Sequence, residues 1–239
     1  MSNNLLPYYD ERRTDINMLM FHCSAQNTSN MINILNSLQL SCHYIIDTDG
    51  SITQVMEENK RAWHAGLGSW RDIKSDLNSH SIGIELCHYS LGQDNYPHQQ
   101  INSLIQLSQE LIKRYSIKPQ YIVGHSDTAP TRKPDPGMCF PWQELANAGI
   151  GLWYDIKNAN KIKNNDILQL LSSIGYSTNT PEEQQASIYA FARHFLPELI
   201  NKEDNLQLLV DNVYPLNTDI SQHPNFLNTL KAVAYSYKD

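Results

Sequence analysis

Ser81-Ile82-Gly83-Ile84-Glu85-Leu86-Cys87 is an apolar run interrupted by one carboxylate, and it reads as a buried strand. Upstream, Met18-Leu19-Met20-Phe21, ending at His22, reads the same way. Between the two, Met31, Ile34, Leu35 and Leu38 recur at helical spacing behind Thr28-Ser29-Asn30, which can cap a helix start. His43-Tyr44-Ile45-Ile46-Asp47 and Ile52-Thr53-Gln54-Val55 flank Asp49-Gly50, the chemistry of a hairpin turn. Downstream, Ile101, Leu104, Ile105, Leu107, Leu111 and Ile112 mark an amphipathic helix over residues 98–115, and Tyr121-Ile122-Val123 is a further strand leading to His125. Strands alternating with helices predict an α/β domain of roughly 150 residues.

His22, Glu85 and His125 each fall in or at the end of such a strand, so the pattern gathers them along one sheet margin. The stretch Gly124-His125-Ser126-Asp127-Thr128-Ala129-Pro130-Thr131-Arg132-Lys133-Pro134-Asp135-Pro136-Gly137 places an imidazole, cations and a carboxylate on a segment whose prolines oppose regular helix. His125 and Asp135 offer two ligands to a borderline-soft dication, which needs three or four, and His22 is the best third. A carboxylate such as Glu85 among apolar neighbours is costly unless a partner or cation lies near. A lone histidine is more often a hydrogen-bonded structural residue, the reading taken for His80, His88, His98, His194 and His223.

Lys and Arg number 18 against 25 Asp and Glu, for a formal charge of −7, which argues against duplex nucleic acid as partner. The apolar stretches are far below the ~20 residues that span a bilayer, so no membrane span is expected. Met1-Ser2-Asn3-Asn4-Leu5-Leu6-Pro7 has neither a charged n-region nor an apolar h-region, which predicts no export signal and a cytoplasmic location; an omitted leader is the alternative, with a periplasmic or envelope location. Cys23, Cys42, Cys87 and Cys139 are too few for a disulfide scaffold and lack Cys-x-x-Cys spacing, so they read as reduced thiols. Oligomeric state is not encoded in any pattern found.

After Trp153 the pattern changes. Residues 155–164 are polar and read as a linker, and beyond them only helical periodicity appears: Ile167, Leu168, Leu170, Leu171 and Ile174; Ile188, Phe191, Ala192 and Phe195; Leu206, Leu208, Leu209 and Val213; Phe226, Leu227, Leu230 and Val233. Gly175 fits a helix stop, and Pro181 with Glu182 and Glu183 a helix start. The expected division is a catalytic domain over 1–154 and a small all-α module over 165–239. A chain ending near Lys161 is expected to fold by itself.

Five motifs in order carry a family resemblance: Met20-Phe21-His22-Cys23-Ser24; His43-Tyr44-Ile45-Ile46-Asp47-x-Asp49-Gly50; Ala62-Trp63-His64-Ala65-Gly66; Ser81-Ile82-Gly83-Ile84-Glu85-Leu86; and the segment from Gly124 to Gly137. Over residues 15–153 the chain resembles the zinc-dependent N-acetylmuramoyl-L-alanine amidases of the AmpD/AmiD group, which share a fold with T7 lysozyme and the peptidoglycan recognition proteins. That fold implies a central mixed β-sheet flanked by helices. Residues 165–197, with Leu168-x-x-Leu171-x-x-x-Gly175-Tyr176 and Ala190-Phe191-Ala192-Arg193-His194-Phe195-Leu196-Pro197, resemble the C-terminal helical peptidoglycan-binding module of AmiD-like members. The chain departs from that module at Ala192, where a Gln commonly follows the Phe.

The resemblance implies that His22, His125 and Asp135 hold Zn2+, that Glu85 is the general acid/base, and that Lys133 stabilises the oxyanion. It places Tyr44 and His64 in the substrate cleft. The implied reaction is hydrolysis of the amide between N-acetylmuramic acid, or its 1,6-anhydro form, and L-alanine of the stem peptide, with peptidoglycan or an anhydro-muropeptide as substrate. The alternatives are a non-catalytic peptidoglycan recognition protein and a zinc peptidase acting within the stem peptide.

Overall fold

The computed structural model describes residues 5–200 and 219–238. The expected helix around Leu206, Leu208, Leu209 and Val213 lies outside the described residues. The two apolar runs become the longest strands, β2 (Met18–Ser24) and β6 (Ser81–Cys87), paired in parallel. The hairpin forms as β3 (Tyr44–Ile46) and β4 (Ile52–Gln54), and β7 (Ile122–Gly124) pairs in parallel with β2. The order is β4-β3-β6-β2-β7, with β4 alone antiparallel, so this five-stranded sheet is mixed. Residues Tyr9–Glu11 (β1) and Lys60–Ala62 (β5) form a separate antiparallel pair. Gly50 closes the hairpin at φ +86°, where a Cβ would also stand 2.8 Å from the Gln99 carbonyl oxygen.

Side chains alternate across each strand, so the sheet buries two different faces. Leu19 and Phe21 of β2, Ile82 and Ile84 of β6 and Ile122 of β7 pack against the helix His98–Tyr115, which has the bounds its periodicity predicts. On the other face, Ile45 and Cys87 pack against Met31 and Leu35 of α1 (Thr28–Ser37). That helix is capped by the Asn27 side chain, which accepts the Asn30 N–H. The cap therefore sits one residue before the expected Thr28-Ser29-Asn30, because the earlier residue has the extended backbone a cap requires. The helix His98–Tyr115 is α3, following the short α2 (Leu77–His80), and α4 (His125–Thr128) and α5 (Trp142–Asn147) come next.

The remaining part of this second face is covered by the helices beyond residue 165. Helices α6 (Ile167–Ile174), α7 (Pro181–Phe195) and α8 (Phe226–Ser236) share one core with Met18, Met20 and Val123 of the sheet and with Trp70. Gly175 and the Thr180-Pro181 start bound the helices as expected, the Thr180 side chain accepting the Glu183 N–H. Residues 155–164 are not a free tether: Ile156–Lys161 is a 3-10 helix, Ala159 and Ile162 are buried, and the Lys161 ammonium lies 4.5 Å from the Tyr235 ring centre on α8. Arg71 ties the two parts further, donating to the carbonyls of Ile174 (3.1 Å) and Tyr237 (3.4 Å). The composition change at Trp153 marks a change of secondary structure within one packed unit, because the apolar stripes of the helices find their partner on the sheet. Among the described residues no helix is long and apolar enough to cross a membrane.

Candidate metal centre

The parallel register sets Phe21 beside both Ile84 and Gly124, so β2, β6 and β7 present their carboxyl ends together, the usual location of sites in open α/β sheets. His22 projects from β2 on the face that also carries Met18 and Met20, and His125 opens α4 directly after β7. Asp135 is brought in by the loop after α4, where its carbonyl accepts the Ser126 N–H at 2.9 Å. His22 Nδ1 stands 3.0 Å from His125 Nδ1 and 3.1 Å from Asp135 Oδ2, and His125 Nδ1 stands 3.2 Å from the same oxygen. Tetrahedral donors about 2.0 Å from one zinc are separated by roughly 3.3 Å, so this triangle fits a single ion.

The outward atoms of both imidazoles fix which nitrogen faces inward. His125 Nε2–H donates to the Ala65 carbonyl at 2.9 Å, leaving the Nδ1 lone pair for the centre. His22 Nε2 lies 3.0 Å from His64 Nδ1; His64 Nε2 lies 3.2 Å from Ser81 Oγ, and that hydroxyl donates to the Leu77 carbonyl at 2.7 Å. One proton direction satisfies the whole chain: His22 Nε2–H donates to His64, and His64 Nε2–H donates to Ser81. Burial, followed by the neighbouring His125, pushes the His22 imidazole down to about 4, against the pull of Asp135, so it is neutral and able to ligate at pH 7. These three donor atoms converge on one point and form a group able to hold a metal ion.

His64 is therefore placed behind His22, holding its far nitrogen. Gly83 makes the arrangement possible: a Cβ there would stand 2.6 Å from the His64 ring. Tyr44 lies apart from this group. It pairs in register with Ile84, one residue off Glu85, and so occupies the opposite face of the sheet. Its hydroxyl donates to Glu58, which also accepts from Tyr115 and Arg114, so α3 and not the metal side surrounds it.

Glu85 is the register partner of His22. Its Oε2 is buried without a hydrogen-bond partner among the described residues. Burial first, then the charge of Asp135, raise the carboxyl to about 8, and the Lys133 ammonium opposes them. The same ammonium acts on His22, so Lys133 lies close enough to influence both groups; its backbone N–H is tied to the Ala129 carbonyl at 3.0 Å. A carboxyl poised near neutrality beside a triad able to hold a metal ion is suited to moving protons during hydrolysis.

Sequence reasoning missed Asp127, a fully buried carboxylate two residues after His125. It accepts the Gly124 N–H at 2.8 Å, the Tyr176 hydroxyl at 2.7 Å and His194 Nδ1–H at 3.0 Å. Its apolar surroundings come from helices distant in sequence, so no local pattern announced it. His194 has the structural role expected of it, and His88 does too, accepting the Gly92 N–H at 3.1 Å.

These features define a candidate metal site on a mixed α/β sheet. The family model for N-acetylmuramoyl-L-alanine amidase, Amidase_2, matches residues 12–138, and the chain belongs to that family. It is 38% identical over 215 residues to the N-acetylmuramoyl-L-alanine amidase AmiD of Escherichia coli K12, covering 79% of this chain and 78% of that protein. The solved complex of E. coli AmiD with the substrate anhydro-N-acetylmuramic acid-L-Ala-D-gamma-Glu-L-Lys superimposes with a TM-score of 0.77 at 31% identity, over 95% of this chain and 93% of that one. The structure of AmpDh3 from Pseudomonas aeruginosa in complex with anhydromuramic pentapeptide gives a TM-score of 0.76 at 29% identity, over 98% and 95% of the two chains.

Proposed function

We propose that the chain cleaves the amide between N-acetylmuramic acid, or its 1,6-anhydro form, and L-alanine of the stem peptide, using one Zn2+ held by His22, His125 and Asp135. The observation that carries the metal is the triangle of donor atoms 3.0, 3.1 and 3.2 Å apart, with both Nδ1 atoms freed by partners on the far side of the rings. The two amidase structures solved with anhydro-muropeptides support that substrate class. The complete ligand set disfavours a non-catalytic receptor.

A bound zinc supplies Lewis acidity to the scissile carbonyl and the attacking water. Glu85 takes a proton from that water on its carboxylate and returns it to the departing L-alanine nitrogen, which cannot leave as an anion. The Asp135 charge is one of the causes that raise Glu85, so neutralising it brings the carboxyl down towards the pH at which it both accepts and donates. Lys133 offers positive charge to the oxygen on which negative charge develops. His64 and Ser81 keep the His22 proton on Nε2.

The test is mass analysis of products from one purified anhydro-muramyl tripeptide. Anhydro-N-acetylmuramic acid plus an intact tripeptide is expected. Sugar still attached to L-alanine would mean a peptidase, and no turnover by zinc-loaded protein would favour a receptor.

A further inference from the structure

Asp127 belongs to the four-residue α4 that begins at His125, and a helix so short does not hold itself in place. Alongside the Ser126 N–H bond to the Asp135 carbonyl and the Ser69 N–H bond to the Thr128 carbonyl, it is held by the bonding of Asp127. Its Oδ2 takes the N–H of Gly124, the last residue of β7, and so clamps the turn at the point where His125 leaves the sheet. The remaining bonds come from the helical segment: Tyr176 Oη, just after α6, donates to Oδ1, and His194 Nδ1, on α7, donates to Oδ2. Both donors are themselves immobilised. The His194 ring stacks on Trp142 with centroids 3.8 Å apart and planes 14° apart, and the Tyr176 ring meets Trp70 edge-on at 5.1 Å.

We propose that the C-terminal helical segment is a working part of the metal centre, with Tyr176 and His194 acting through Asp127 as positioning residues for His125. This rests on the zinc amidase reading. The segment then contributes to turnover of small soluble substrates, whatever it does on polymeric wall. A buried carboxylate that loses its donors must re-orient or recruit water, and either change moves the turn that carries His125.

The experiment measures zinc affinity by chelator competition, and kcat and KM on a soluble anhydro-muropeptide, for Tyr176→Phe, His194→Ala and His194→Asn in the full chain. Leu230→Ala on α8, in the same core but with no polar atom to bond Asp127, is the control for a general loss of stability. Tyr176→Phe and His194→Ala are expected to weaken zinc roughly 10-fold and lower kcat with KM little changed. His194→Asn, which restores an N–H near the position of Nδ1, is expected to recover most of the affinity. Leu230→Ala is expected to lower Tm while leaving zinc affinity unchanged. Wild-type zinc affinity in folded Tyr176→Phe and His194→Ala would overturn the inference, as would an equal loss in Leu230→Ala. If His194→Ala fails to fold, Tyr176→Phe, which removes a single oxygen, decides by itself. Absence of zinc binding by the wild-type chain would instead overturn the reading on which this inference rests.

Discussion

His22 and Glu85 are direct partners in the parallel register of β2 and β6, on the same face of the sheet. Adjacent strands are about 4.8 Å apart, so the pairing places a proton-carrying group beside a ligand-carrying one without making it a ligand. The group of side chains able to hold a metal contains His22, His125 and Asp135 and leaves Glu85 out. In the proposed reaction, binding and proton transfer fall to neighbouring strands and are separable by mutation.

Glu85→Gln keeps the shape of the side chain and removes its proton chemistry. Zinc content is expected to stay stoichiometric while kcat on a soluble muropeptide falls roughly 100-fold or more. Near-normal turnover in this variant would reduce Glu85 to a structural residue.

Replacing His64 by Ala leaves the Nε2–H of His22 without its acceptor and opens space against Gly83. Outer partners of ligating histidines contribute about 10- to 100-fold in affinity, and that loss is expected in chelator competition. A raised KM with unchanged zinc affinity would return His64 to the substrate cleft.

A chain ending at Lys161 loses the helices that cover Met18, Met20 and Val123. At about 1.5–3 kcal/mol per buried side chain, these three alone stand for roughly 5–9 kcal/mol, comparable to the ~5–15 kcal/mol that holds a domain together. Such a chain is expected to show no cooperative thermal transition by circular dichroism. A sharp transition near that of the full chain would restore the independent module.

The pH dependence of the metal-free chain isolates Glu85. Its folded value of about 8 lies above the unfolded 4.5, so the native state holds the extra proton and stability falls as pH rises from 4.5 through 8. His22, lowered from 6.5 to about 4, acts in the opposite sense, stability rising from pH 4 to 6.5 and no further. Between pH 6.5 and 8 only the Glu85 contribution remains of the two, so Tm should decline there, and the decline should vanish in Glu85→Gln. Parallel pH profiles for the two proteins would contradict the assigned shift.

The strands β2 and β6 and the bounds of α3 were legible because burial leaves an unbroken apolar run in a strand and a fixed stripe on a helix. His22, His125 and Asp135 were legible as a candidate ligand set, and the resemblance supplied the identity of the ion and the reaction. Strand alternation also made the face of Tyr44 legible, since Ile45 and not Tyr44 shares a face with Glu85. The coupling of Asp127 to Tyr176 and His194 was not legible, because those bonds span 49 and 67 residues and lie where two separately patterned segments meet. The same fact hid the shared core: periodicity shows that a helix has an apolar side, but not what covers it.

Zinc measured by elemental analysis in the purified wild-type chain and in His22→Ala, alongside turnover of one anhydro-muropeptide, tests the central claim most directly. The account predicts one zinc per wild-type chain with release of the intact stem peptide, and loss of metal and turnover together in His22→Ala, because two remaining ligands hold the ion poorly. Stoichiometric zinc in His22→Ala, or full turnover by a wild-type chain stripped of metal, would contradict it.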